Sequence, residues 1–501
     1  MRAAGPPYKT TTLSIMKNPN PSRTLAAQLF GAVVILAFAN RALAEVHYVD
    51  LNSTNATPPY TNWATAATNI QDAVDAAVAG DEVVVTNGIF NSGFRDNSAG
   101  TSRVVVDKPL NLRSVNGPEV TQIHGFGIVG CNCLFRCAYL TNGATLSGFT
   151  LTNGWAYEKG GGVLCESGTA VVSNCVLRGN KVFSHYEGAS VTLLESQGGG
   201  ACGVTLKNCT LTGNSAKATY EYGIWFGQGP QYFAHGGGAY NCTLKNCVLG
   251  GNLAYFEDSS STFPGAAEGG GASYCTLNNC MLTGNSALLR TYKNSVTARG
   301  GGASDCVLNN CNLVGNQTAT FFSGYGLTYG SGASGCTLNN CISSGNASGT
   351  LGSGACVDCD SPGRLDGNNW YGDPLFVDTS GWANLRLQSN SPCINAGDNS
   401  SVTNATDLDG NARISGGTVD IGAYEYQWPQ LTVASSGPNV LLTWPMNNAG
   451  YDSTGFTLQS TTNLIPPVVW TTNSPAPVVV GGLNTVSDAI TGVQRFYRLV
   501  Q

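Results

Sequence analysis

The sequence predicts an all-β solenoid: a parallel β-helix with a short capping helix at its N-terminal end and a small β-sandwich-like module at its C-terminal end. Three observations lead there. Five closely similar segments recur between residues 198 and 346, apolar residues alternate within each one without any run of good helix formers, and the composition changes at Trp428.

The segments read GGGACGVTLKNCTLTGN (198–214), GGGAYNCTLKNCVLGGN (236–252), GGGASYCTLNNCMLTGN (269–285), GGGASDCVLNNCNLVGN (300–316) and GSGASGCTLNNCISSGN (330–346). Each sets its final Asn 16 positions after its first Gly. A looser copy spans 160–180 with four extra residues, and LSGFTLTNG (146–154) ends a still earlier one. The spacers between cores measure 17, 21, 16, 14 and 13 residues in chain order. Constant cores with unequal spacers place every insertion at one edge of a stacked unit, as solenoids do.

Within one core, alternation turns Leu244 inward. Asn246 takes a bend, where its side chain can bond the backbone or stack on the next Asn, and Cys247 and Leu249 resume the inward face. A leucine-rich repeat shares part of this pattern, but its period of about 20 to 29 residues and its outer helix do not fit these longer spacers. Disorder does not fit the regular apolar positions.

At the N-terminal end, residues 1–44 hold five basic residues and no acid, an apolar run from Leu29 to Ala39, and Ala42-Leu43-Ala44. This is the pattern of a signal peptide, with Met16 as an alternative start and cleavage expected after Ala44. The run is too short to span a bilayer, so the mature chain is expected to lack a transmembrane segment and to be secreted or displayed at the cell surface. Without those five positive charges, 19 basic face 30 acidic residues, a formal charge of −11. That excludes nucleic acid and anionic membranes as partners, and disfavours polyanionic glycans unless a cation bridges them. Ile70, Ala73, Val74, Ala77 and Val78 line one face of a short helix ended by Gly80, placed to cover the open end of the coil.

The helix, GDEVVVTNGIF (80–90) and KPLNLRSVNGPEVTQIHG (108–125) resemble the opening of secreted right-handed parallel β-helix proteins of the pectate-lyase-like superfamily. The GGGA and LxGN elements are similar to repeats of polymorphic outer-membrane proteins. DPLFVD (373–378), SPCINAGD (391–398) and DLDGNARISGGTVDIGAYEY (407–426) resemble the closing segment of bacterial β-helix proteins of the choice-of-anchor type. Together these matches cover residues 46–427, and they imply a fold and a compartment without naming catalytic residues. The expected organisation is therefore a signal peptide (1–44), a β-helix (45–427, with core repeats at 146–346 and a closing segment at 366–427) and a β-sandwich-like domain (428–501). In the last, strands are expected at 440–444, 456–460, 477–480 and 495–500, too few for a membrane barrel.

Eighteen cysteines in an exported chain would ordinarily suggest disulfides. Here Cys175, Cys209, Cys247, Cys280, Cys311 and Cys341 share one core position, and Cys242, Cys275, Cys306 and Cys336 another five residues earlier, so stacking makes two inward ladders. Packing as small apolar residues is the first reading, rung-to-rung disulfides the second. Zinc needs ligands that converge on a point, which a column does not offer.

Aromatics crowd the spacers: Tyr220, Tyr222, Trp225, Phe226, Tyr232 and Phe233 in one, Phe321, Phe322, Tyr325 and Tyr329 in another, Tyr255, Phe256, Phe263 and Tyr292 between. On one face of a rigid solenoid they would stack on sugar rings; otherwise they pack over their own loops. The expected role is binding of a polysaccharide or cell-surface glycan by a monomer. The alternatives are a polysaccharide lyase or glycoside hydrolase acting on a pectin-like polymer, and a purely structural surface protein. For catalysis the candidates are Asp305, which stands where other copies have Gly203, Asn241, Tyr274 and Gly335, with Arg299 and Lys293 before it; no adjacent coil supplies an aligned second acid. No cofactor is demanded. Asp407 and Asp409 in a DxDGN run suggest a Ca²⁺ loop, but Thr418 stands where such a loop needs a bidentate Glu, and turn capping is the favoured reading. The four histidines (47, 124, 185 and 235) and the serines form no triad motif.

Overall fold

A computed structural model describes residues 44–501 apart from 129–132, 185–192, 221–230, 259–263, 292–295, 322–325, 351–355, 358–364, 367, 449, 453–454, 474–475, 490 and 501. Residues Val46–Gln501 form one unit. The expected signal peptide lies almost wholly outside the described residues. No helix among them is long and apolar enough to cross a membrane.

The chain is a right-handed parallel β-helix. Each turn crosses three long sheets, as in Ala239–Tyr240, Thr243–Lys245 and Val248–Gly250, and pairs in parallel register with the turns before and after it. Leu206, Leu244, Leu277 and Leu308 fall in one column, Leu211, Leu249, Leu282 and Leu313 in another, and none is exposed. Burying each contributes roughly 1.5–3 kcal/mol, and that repeated gain holds the stack in register. The two cysteine columns lie in the same core.

All the described cysteines are free thiols. Size is not their whole contribution. The Cys242 N–H donates to Sγ of Cys275 (3.3 Å), Cys275 N–H to Cys306 Sγ (3.3 Å) and Cys306 N–H to Cys336 Sγ (3.3 Å), while Cys275 Sγ donates to the Ser273 carbonyl (3.2 Å). Each thiol thereby satisfies backbone at a corner the strand ladders leave unpaired.

Two asparagine ladders run alongside. At the bends, where φ is near +50°, Asn279 Nδ2 bonds Asn246 Oδ1 (3.3 Å) and Asn340 Nδ2 bonds Asn310 Oδ1 (3.0 Å), the stacking expected for Asn246. The second ladder, from the closing Asn of each repeat, is fully buried at Asn180, Asn214, Asn252, Asn285 and Asn316. Asn252 Oδ1 accepts from the Asn214 N–H (3.0 Å) and Nδ2 (2.9 Å), and its Nδ2 donates to the Leu211 carbonyl (2.9 Å) and Asn285 Oδ1 (2.9 Å).

The spacers are not simple loops. Each leaves the coil after that Asn as one strand and returns as another, and the strands stack into a seven-stranded and a six-stranded parallel sheet. Between these sheets lies a second core that includes Val182, Ala218, Tyr232, Phe256, Leu289 and Ala298. The arms thus form a wing along one edge of the coil. The Gly triplets make its neck: a Cβ on Gly237 would sit 2.4 Å from the Leu253 main chain, and one on Gly238 would sit 2.5 Å from the Gly271 carbonyl oxygen. Outgoing and returning backbones meet there with no room for a side chain.

The helix Ile70–Ala76 caps the coil, with Ile70, Ala73, Val74 and Ala77 buried. It stops before Val78, which is 59% exposed and donates its N–H to Asp81 (2.7 Å), so Val78 does not belong to the apolar face as expected. The closing segment runs back along the bends. Thr403 Oγ1 donates to Asn278, Asp398 N–H donates to Asn340 and Ala423 N–H donates to Asn312, while Phe376, Leu385, Ile421 and Tyr426 cover Val314 and Ile342. Beyond it, antiparallel sheets of four and three strands enclose Leu442, Trp444, Leu458 and Val486.

Candidate functional site

Alternation along the returning wing strand separates two neighbours that the sequence grouped together. Tyr232 turns inward and is 1% exposed, filling the wing core with Phe256. As a sugar-stacking residue it is corrected: its ring is spent on packing. Phe233 turns outward to the wall of a cavity of about 550 Å³. Of the other aromatic candidates, Tyr222, Trp225 and Phe226 lie outside the described residues, as does the side chain of Tyr220.

The cavity sits in the angle between the returning wing sheet and the coil. Phe233, Glu268, Thr297, Arg299, Tyr329 and Ser334 line it. The register explains the cluster. Gln197, His235, Glu268, Arg299 and Tyr329 are direct partners on successive turns, each the residue immediately before the Gly neck. Across the neck Tyr240, Tyr274 and Asp305 project from the start of the next coil strand or the bend after it.

These side chains form one network. His235 Nδ1 lies 3.1 Å from Glu268 Oε2, Arg299 Nε donates to Glu268 Oε1 (2.9 Å), and Arg299 Nη2 is 3.6 Å from Asp305 Oδ2. Phe233 stacks on His235 with ring planes 8° apart and centroids 5.5 Å apart, and the Tyr240 and Tyr274 rings meet at 5.6 Å. Glu195 stands 3.9 Å from His235. The Asp305 and Arg299 expected from sequence are therefore brought together. Lys293 lies outside the described residues. A second carboxylate, Glu268, comes from the preceding turn in a different column, the one that holds Arg299; at the position aligned with Asp305 the neighbouring turns carry Tyr274 and Gly335, as expected. His235, Glu268, Tyr240 and Tyr274 were missed: His235 and Glu268 each stand before a Gly triplet, but nothing in residue type marks that position as one column.

Burial alone would raise the Glu268 carboxyl, but His235 and Arg299 outweigh it and hold the group below its ordinary value. Glu268 is thus a fixed anion, with 4% of its side chain exposed, unsuited to donating a proton near neutrality. Burial, then Glu195, pushes the Tyr240 phenol up to about 12, and burial, then Asp305, raises Tyr274, so both remain neutral hydrogen-bond donors. The site presents aromatic faces, neutral hydroxyls and anchored carboxylates, a set suited to holding a polyhydroxylated ring.

The proposed Ca²⁺ loop is corrected by its own hydrogen bonds. Asp407 Oδ1 accepts from the Asp409 and Asn411 N–H groups (3.0 and 2.8 Å) and Oδ2 from the Glu425 N–H (2.9 Å), while Asp409 takes Arg386 through both oxygens (2.6 Å each). The two carboxylates cap a turn and anchor an arginine. Among the described residues, no three His, Cys, Asp or Glu side chains converge as metal ligands, the cysteine columns included.

No family model matches the chain, and no curated protein matches it. Among solved structures it is similar to the crystal structure of pectate lyase Pel9A, at 13% identity over 77% of this chain and 98% of that one, with a TM-score of 0.36. It is also similar to the complex structure of XylC with xylose, at 9% identity over 91% of this chain and 100% of that one, with a TM-score of 0.24. Likeness at this level bears on neither activity nor ligand.

Proposed function

We propose that this β-helix protein, exported from the cell, binds an extracellular or cell-surface glycan in the cavity at the base of the wing. The observation that carries the reading is the column His235, Glu268, Arg299 and Tyr329, flanked by the outward ring of Phe233. Polar groups stand at the rung spacing of about 4.8 Å beside aromatic faces, so a chain of sugar rings can lie along the axis and meet a polar side chain at each turn. Binding is favoured over hydrolysis because the buried Glu268 carboxylate is held charged by its bond to Arg299 and its contact with His235, whereas glycosidases keep one carboxyl protonated.

Affinity electrophoresis of the mature chain through gels containing soluble polysaccharides tests this. Retention by at least one polymer is expected, with Phe233→Ala and Tyr329→Ala each weakening it by about tenfold through loss of stacking area. Retention that both variants leave untouched would place the binding face elsewhere. New reducing or unsaturated ends that vanish in Asp305→Ala would make the protein an enzyme instead.

A further inference from the structure

Among the described residues, the one guanidinium facing the cavity is already matched. Arg299 is held by Glu268 through Nε at 2.9 Å and shares its Nη2 with Asp305 at 3.6 Å. Among the described residues, Arg299 is thus the one guanidinium or ammonium at the cavity and its rim, set against the two carboxylates Glu268 and Asp305. Lys159 belongs to the same column, as the partner of Gln197, but His235 and Glu268 also stand between it and Arg299. Four steps of about 4.8 Å put it roughly 19 Å away, beyond the Debye length of about 8 Å at physiological salt. The Tyr274 phenol registers the resulting field: after burial, Asp305 and Glu268 raise it against the opposing pull of Arg299.

Resting on the glycan-binding reading above, we infer that the cavity selects a polysaccharide free of carboxylate and sulfate groups, because the one arginine that lines it among the described residues is neutralised before any ligand arrives. A uronate carboxylate would meet a net negative site and would have to displace Asp305 or Glu268 to reach the guanidinium. A sugar bearing only hydroxyls loses nothing there, since the free lone pairs of Asp305 accept from hydroxyl groups while the Tyr274 and Tyr329 hydroxyls donate.

The test compares the full mature chain with Asp305→Asn and Glu268→Gln in gels containing xylan, a soluble β-glucan, polygalacturonate or alginate, at low ionic strength, with EDTA and again with Ca²⁺. Asp305→Asn suits the backbone, because Asn241 holds the equivalent place at φ 50° where Asp305 has φ 52°. The wild type is expected to bind one of the uncharged polymers at least about tenfold more tightly than either polyuronate in both conditions. Asp305→Asn is expected to narrow that gap by about tenfold by freeing Arg299, and Glu268→Gln should act in the same direction. Tighter binding of polygalacturonate or alginate by the wild type, with or without Ca²⁺, overturns this inference and leaves the glycan reading standing. A gap unchanged in both variants also overturns it, since the pairing would then not set the preference. Retention of no polymer by any form removes the glycan reading itself, and this inference with it.

Discussion

Replacing Asn252 by Ala isolates the device that ties successive turns together where the arms leave the coil. The side chain is fully buried and makes four hydrogen bonds, two accepted from Asn214 and one donated to each of Leu211 and Asn285. Truncation leaves the Asn214 main-chain N–H without that acceptor in a site with no exposure and removes one bond each from Asn214 Nδ2, the Leu211 carbonyl and Asn285 Oδ1. An orphaned buried group costs about 1–3 kcal/mol, and the partners that keep other bonds lose less, so the change should cost about 3–5 kcal/mol. Urea unfolding followed by circular dichroism, beside Lys245→Ala as an exposed control on the same turn, measures it. Amide exchange at Asn214 should accelerate more than exchange at the Leu211 amide within its strand, because the loss is centred on one bond. A cost below about 1 kcal/mol, or unchanged protection at Asn214, would refute the claim that this column ties turn to turn.

Three further outcomes follow from other parts of the molecule. Phe256→Ala should empty the wing core at a cost of about 3–5 kcal/mol; limited proteolysis should then cut the arms before the coil, and simultaneous loss of both would show that the two cores are not separable. Gly237→Ala should prevent the neck from closing, because its Cβ would lie 2.4 Å from Leu253 main-chain atoms; soluble, fully folded protein from that variant would contradict the contact. In the closing segment, burial raises Asp420 to about 6 and Glu425 to about 8 around the single buried Arg413. Carboxyls raised on folding hold protons that the unfolded chain has released, so their stabilisation is complete below about pH 4 and is lost as pH rises through 6 to 8. Melting temperature should fall across that interval and fall less in Glu425→Gln; a melting temperature that rises with pH there would reverse the sign.

Much of the coil was legible in the sequence because its causes are local. A period of two fixes which strand residues turn inward and a period of 3.6 marks the capping helix, so the Leu and Cys columns, the Asn bends and that helix follow from spacing alone, and the unequal spacers had to leave from one edge. What the spacers become was decided by the tertiary structure. Glycine triplets read as turns, and only the approach of Gly237 to Leu253 makes them a neck that forces the arms into paired sheets. That pairing sends Tyr232 inward and Phe233 outward, a choice depending on which side of the arm faces another arm. His235, Glu268 and Arg299 are 31 to 33 residues apart and chemically unlike, so no similarity of type marked them as one column. They meet because every arm, whatever its length, closes at the same neck, and closure at a common point sets register where local sequence cannot.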